Sequence, residues 1–136
     1  MTQIFADTCY WIALLNPRDE LHNRVQEISA TLSGVMILTS DAVLTELLNS
    51  FAEQGPHFRF VASTAVTVLK TDAKVIVVPQ SRESFHQAFD LYCDRTDKDW
   101  SLTDCSSFLI MRQYGIDAAL TYDKHFEQSG FKALLR

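Results

Sequence analysis

Four carboxylates in this chain have the residue type and placement for chemistry: Asp7 in IFADT, Glu46 in LTELLN, Asp104 in SLTDCSSFLIMR and Asp123 in LTYDKHF. They are far apart in sequence, but each falls at the edge of an expected helix or strand. Distant acids of this kind meet in an α/β domain, because parallel strands deliver their carboxyl ends to one rim. Carboxylates gathered on one rim repel one another unless a cation lies between them. Hard divalent ions such as Mg²⁺ are held by such oxygen donors, a few carboxylates together with water. The pattern therefore points to metal-assisted phosphodiester chemistry.

The elements that must carry these acids can be read from apolar runs and their breakers. Ile4–Ala6 is a short apolar run ending at Asp7, and Thr8–Leu15 continues as a helix capped near Asp7 and stopped by Asn16-Pro17. A second helix is expected from about Asp19 to Leu32, with Leu21, Val25 and Ile28 on one face. Gly34 stops it before a strand over Val35–Leu38. Ser40 or Asp41 then caps a helix running to about Glu53, which Gly55-Pro56 ends. His57–Leu69 reads as a further helix, with Phe60, Val61, Val66 and Leu69 among short side chains. A β-branched strand over Val75–Val78 stops at Pro79. Ser84–Tyr92 is helical, with Phe85, Ala88, Phe89 and Tyr92 at helical spacing, and Asp94–Asp99 is a charged loop. Ser101–Tyr114 is a helix closed by Gly115, Ala118–Thr121 is a fourth strand, and Phe131–Leu135 supplies an edge strand or final turn. Strands alternating with helices imply right-handed crossovers and a mostly parallel sheet covered on both faces: an α/β fold in three layers.

Bulk composition narrows the class. The 136 residues suit one domain, and at 47% hydrophobic and 21% charged the chain matches ordinary globular proteins. A net charge of −5 excludes the uniformly basic surface of a strong nonspecific nucleic-acid binder. Contact with nucleic acid must then run through a bound metal or a local basic patch, for which Arg18, Arg24, Arg59 and Lys98 are the candidates. An acidic chain also suits a basic protein partner. Cys9, Cys93 and Cys105 form neither a disulfide framework nor a zinc spacing. Cys9 and Cys105 lie in apolar runs, as buried thiols do. The N-terminus lacks the positive region of a signal peptide, and no apolar run approaches the roughly 18 residues of a membrane span. A reducing cytoplasm is the expected location.

Each acid also has a plain structural reading. Asp7 can cap a helix, Glu46 can be a solvated helix residue lying off the Leu44, Leu48 and Phe51 stripe, and Asp123 can open a turn. Ser101-Leu102-Thr103-Asp104 fits a capping box. That role is compatible with metal binding, since the two oxygens of one carboxylate can divide the tasks. Asp99 is a fifth candidate acid. His125 reads as structural and Phe126 as core. Only the joint arrangement of the four acids supports a catalytic reading.

Taken together, IFADTCYWIALLN, TELLN, SLTDCSSFLIMRQYGI and ALTYDKHFEQSGF resemble the PIN-domain family over nearly the whole chain. They are most similar to the small bacterial PIN proteins typified by VapC toxins, within a subgroup with a DCSSF core and a DKHF ending. The resemblance implies a single PIN domain over residues 1–136, an α/β/α sandwich, and a Mg²⁺- or Mn²⁺-dependent ribonuclease. On the family's pattern Asp7 and Asp104 are the foremost metal ligands. Glu46 and Asp123 complete the catalytic set, as ligands or through water. Thr8, Ser101 and Thr121 are small hydroxyl residues placed to hydrogen-bond the acids. RNA is the implied substrate, and an antitoxin protein and a second copy of the chain are the implied partners. Tyr10, Trp11 and Phe51 read as core more readily than as a dimer surface.

A catalytically silent PIN-like module that binds RNA or protein is the alternative, disfavoured by the presence of all four acids. A receiver-type phosphoacceptor would need an acidic pair after the first strand, a phosphorylated Asp after the third and a Lys after the fifth; here a single Asp ends the first strand, Pro79 follows the third and no Lys matches. A haloacid-dehalogenase-type phosphatase would need a second Asp where Cys9 stands.

Overall fold

A computed structural model describes residues 2–136. The elements run β1 (Gln3–Ala6), α1 (Thr8–Leu15), α2 (His22–Ser29), β2 (Met36–Ser40), α3 (Asp41–Phe51), α4 (Pro56–Thr71), β3 (Val75–Val78), α5 (Arg82–Asp94), α6 (Leu102–Tyr114), β4 (Ala118–Leu120), α7 (Lys124–Gln128) and β5 (Lys132–Ala133). The five strands form one sheet in the order β3-β2-β1-β4-β5, and every pairing is parallel. The expected mostly parallel sheet is thus wholly parallel.

The strand order fixes where ligands can gather. From β1 the chain steps outward through β2 to β3, then returns across the sheet to place β4 on the other side of β1. The order reverses between β1 and β4, and the crevice beyond the carboxyl ends of strands at such a point is the usual binding place in open α/β sheets. Asp7 follows β1 directly, and Thr121 follows β4. The two strands are matched by Phe5 with Ala119 and Ala6 with Leu120, and the Asp7 amide donates to the Leu120 carbonyl at 3.3 Å.

Local sequence explains most boundaries, including those that differ from expectation. α2 spans His22–Ser29 rather than Asp19–Leu32, and its late start follows from Asp19 Oδ1 accepting from the Leu21 amide at 2.9 Å. That Asx-type turn holds the chain out of the helix until His22. Ser40, rather than Asp41, caps α3 through its side chain, which accepts from the Val43 amide. Gly55-Pro56 does not end α3, which stops at Phe51; Pro56 instead opens α4, where its missing N–H is no loss. The Ser101–Asp104 capping box is present in full at the start of α6. At its other end Gly115 takes the left-handed conformation that glycine adopts without strain.

The core is one cluster, centred on Phe5 and Leu38 of the sheet, Leu47 and Phe51 of α3, and Phe108 of α6. Tyr10, Trp11 and Phe51 are all buried in it, which places them in packing rather than at a dimer surface. Burial departs from the apolar pattern of the sequence at three places. The buried stripe of α3 is Val43, Leu44, Leu47 and Phe51, and Leu48 lies outside it. On α5 only Ala88 is buried, while Phe85, Phe89 and Tyr92 are exposed. The third concerns Cys9, which is only half-buried, whereas Cys105 is fully buried. Helical spacing identifies a shared face but not what covers it, and here the face of α5 is left open. Among the described residues, no helix is long and apolar enough to cross a membrane.

Phe108 is the hinge of aromatic packing under the acids. Its ring meets Trp100 and Phe126 edge-on at 4.9 and 5.0 Å and lies tilted against Phe131 at 5.8 Å. Phe108→Ala is expected to cost about 3–5 kcal/mol, read as a lowered urea midpoint with an unchanged slope.

Candidate active site

Asp7, Glu46, Asp104 and Asp123 line one open cavity of about 520 Å³, together with Thr8, Cys9, Asp99, Ser101 and His125. Ile12, Leu21 and Tyr122 supply its apolar wall. All four expected acids are therefore brought together, with α1 and α3 of the first half and α6 and α7 of the second contributing alongside the loops that precede them. Asp7 and Asp104 are buried, at 6% and 8% exposure, whereas Glu46 and Asp123 are half-buried at the cavity's sides.

The scaffold grips each acid through one oxygen. Thr121, itself fully buried, donates from its hydroxyl to Asp7 Oδ2 at 2.9 Å. Thr8 donates to Glu46 Oε1 at 2.6 Å, tying the first helix to α3. Asp104 Oδ2 accepts from the Ser101 amide at 3.1 Å and from His125 Nδ1 at 3.0 Å. Asp123 Oδ1 accepts from the His125 amide at 2.9 Å and lies 3.2 Å from His125 Nδ1. Among the described residues, no hydrogen bond engages Glu46 Oε2, Asp104 Oδ1 or Asp123 Oδ2. Capping and ligand-holding are thus divided between the oxygens of one carboxylate, as the Ser101–Asp104 box allows. Asp7 is the exception to its own expectation. It stands at the cap position of α1 but makes no side-chain capping bond, and Thr121 takes that oxygen instead.

Two residues matter more here than their sequence context indicates. His125, expected to be structural, bridges Asp104 and Asp123 through one ring nitrogen. Both contacts are to acceptors, so Nδ1 carries the hydrogen. The donor atoms of Asp104, Asp123 and His125 all lie within 4.8 Å of one another. The only local signal was the two-residue step from Asp123 to His125. Cys9 faces the site with its Sγ 3.5 Å from the Thr121 hydroxyl and 4.0 Å from Asp7 Oδ2. Burial pushes its thiol up to about 11, helped by the charge of Asp7, so it stays protonated and acts as a weak donor. Asp99 is exposed at the rim.

The electrostatic state of the acids follows first from their burial and then from their crowding. Burial raises the Asp7 carboxyl to about 7, against the opposing pull of the Thr8 amide and the Thr121 hydroxyl. The charges of Asp104 and Glu46 push it further in the same direction. Burial also raises Asp104, with Asp123 adding to the effect while the Ser101 amide and His125 work against it. Among the described residues, one imidazole is the sole basic side chain lining the cavity against five carboxylates. Oxygen donors in excess, buried and short of cationic partners, form a set that suits a hard divalent cation.

The fold and this rim of acids define a PIN domain: the family model matches residues 4–132, and the chain belongs to that family. Among its relatives is the 23S rRNA-specific endonuclease VapC20 of Mycobacterium tuberculosis, found in two strains. It is 32% identical over 128 residues, covering 94% of this chain and 95% of the relative. The crystal structure of that species' VapC20, titled a sarcin–ricin loop cleaving toxin, superposes with a TM-score of 0.84 at 26% identity, covering 94% of this chain and 95% of that one. FitAcB from Neisseria gonorrhoeae shares the fold with a TM-score of 0.63 at 16% identity, over 96% and 95% of the two chains.

A buried acid raised in the folded state holds a proton that the unfolded chain releases. Asp7 therefore favours folding of the metal-free protein at low pH, and its contribution is lost as pH climbs from about 4, the ordinary aspartate range, to about 7. At about 1.4 kcal/mol for each pH unit of displacement, the total is a few kcal/mol. The melting temperature of chelator-treated protein should decline across that window, other groups apart, and Asp7→Asn should flatten the decline and melt higher than the parent at pH 8. An unchanged slope in Asp7→Asn would show that its carboxyl is not the strained one.

Proposed function

We propose that this protein is a Mg²⁺- or Mn²⁺-dependent endoribonuclease, the toxin of a toxin–antitoxin pair, acting in the cytoplasm as one PIN domain over residues 1–136. The observation that carries the proposal is the convergence of Asp7, Glu46, Asp104 and Asp123 on one cavity. The 32% identity to an enzyme named as a 23S rRNA-specific endonuclease supports ribosomal RNA as the class of substrate. The same relationship to VapC20 supports an antitoxin partner.

Asp7 and Asp104 would hold the ion, with Glu46 and Asp123 completing its surroundings directly or through water. Bound there, a divalent ion supplies Lewis-acid stabilisation of charge on a phosphate and makes water a better nucleophile. The chain's part is to fix the donors beforehand. Thr121 orients Asp7, Thr8 orients Glu46, and the Ser101 amide with His125 orients Asp104. Preorganised donors need no rearrangement as charge develops on the phosphate, which is where such a site gains its rate. The acidic rim also explains how a chain of charge −5 can take a polyanion: without the ion the cavity repels phosphate, and with it the cavity attracts.

A homodimer is part of the proposal. The exposed Phe85, Phe89 and Tyr92 of α5 are the apolar surface that a second copy would cover. A catalytically silent module has no observation in its favour, whereas four acids lining one cavity, two of them hydrogen-bonded by the hydroxyls of Thr8 and Thr121, support the catalytic reading.

Purified protein should cleave ribosomal RNA only with Mg²⁺ or Mn²⁺, and chelator should abolish cleavage. Asp7→Asn and Asp104→Asn should each lower kcat on the order of 10²–10³-fold, the scale for losing one preorganised charge-stabilising group. Thr121→Val should weaken metal binding roughly 10–100-fold by titration calorimetry. Cleavage that survives both Asp variants and excess chelator would reject the site. Sedimentation of the parent and of Phe89→Ser reads the dimer.

A further inference from the structure

Tyr122 stands between the acid cavity and a second, shallower one. It is half-exposed, and of the large apolar side chains exposed on the described surface it alone lines the acid cavity. Its immediate neighbour in sequence is Asp123. The adjoining cavity, about 420 Å³, is lined by Asp19, Glu20, Leu21 and Tyr122.

The ring is presented on a fixed support. The Tyr122 amide donates to Cys9 Sγ at 3.4 Å, and its carbonyl accepts from Arg136 Nη1 at 3.0 Å. The Arg136 guanidinium lies 5.1 Å from the ring centroid. That guanidinium is in turn held by Glu127 at 2.8 Å. A cation against the ring polarises it and restrains its rotation, while half of its surface remains open to solvent. An exposed aromatic held in one place beside a phosphate-handling site has the form of a stacking platform for single-stranded nucleic acid.

The charge around the ring selects what part of a nucleotide can lie there. Asp19 and Glu20 disfavour a phosphate in the adjoining cavity, whereas a neutral base meets an aromatic face and the apolar side chains of Leu21 and Ile12. We infer that Tyr122 forms a nucleobase subsite, stacking an unpaired base next to the phosphate that the acids address. This rests on the ribonuclease reading above and adds to it a contact that positions the RNA. Because the base stacks equally before and during the reaction, its loss weakens binding without slowing chemistry.

The test uses a hairpin RNA carrying the sarcin–ricin loop sequence of 23S ribosomal RNA and a series of the same hairpin with one loop base removed at a time. Tyr122→Ala should raise KM for the intact hairpin about 5–150-fold, the range for losing one base–aromatic stack of about 1–3 kcal/mol, with kcat within about twofold. Tyr122→Phe and Tyr122→Trp should keep KM near the parent value. For one hairpin lacking a base beside the cut, parent and Tyr122→Ala should have equal KM. The inference is overturned if Tyr122→Ala raises KM by one constant factor across the series, lowers kcat instead, or changes nothing. Failure of the ribonuclease reading looks different: the unsubstituted protein would neither cleave nor bind any hairpin, and the stacking site would fall with it.

Discussion

The structure turns on the cost of holding like charges close together out of water. Two buried aspartates, a glutamate and a third aspartate share one cavity whose only basic side chain, among the described residues, is an imidazole. Nothing in hydrophobic packing favours that arrangement; it persists because a well-packed core beneath fixes the positions from which the acids project. The raised carboxyl of Asp7 is the measure of the conflict. Strain of this kind is common where a site is prepared for a ligand that the fold itself does not contain.

The remedy adopted by the scaffold is to satisfy each carboxylate halfway. Amides, hydroxyls and one imidazole take a single oxygen from each group, so orientation is set while donor capacity remains. Helix α6 shows how economical this is. The Ser101–Asp104 box that starts the helix also sets the rotamer of an acid in the cavity, so a local folding signal and a site-building contact are one feature. His125 extends the same logic over a longer distance by tying the start of α7 to α6.

Much of this was legible in the sequence where cause and effect are local. β3 begins and ends where its β-branched run does, the capping box at Ser101 is complete, and Asp7 and Asp123 sit where a strand gives way to a helix. The parallel sheet follows from alternation, and it explains why distant acids share a rim. What could not be read was whatever depends on contacts across the fold. His125 and Asp104 are 21 residues apart, and the two-residue step from Asp123 is too common to distinguish a bridging imidazole from a solvated one. The exposure of Phe85, Phe89 and Tyr92 is set by what fails to pack against α5. The Asx-type turn at Asp19, which shortens α2, competes with a helical pattern that looks continuous. Cys9 lies in an apolar run yet faces the acids, because α1 turns that side toward Thr121.

The pairing of β1 with β4 is only two residues long, Phe5 with Ala119 and Ala6 with Leu120, yet it aligns the two halves of the acid set. Side chains along a strand alternate between faces, so a slip of one position would exchange them all. Leu120 would then stand where Thr121 does, and Asp7 would meet a hydrocarbon in place of a hydroxyl. This two-residue seam is therefore the molecule's alignment mark, and the hydroxyl at its end acts as a proofreader: a misaligned β4 leaves a buried acid unsolvated, which makes correct registration the cheaper state.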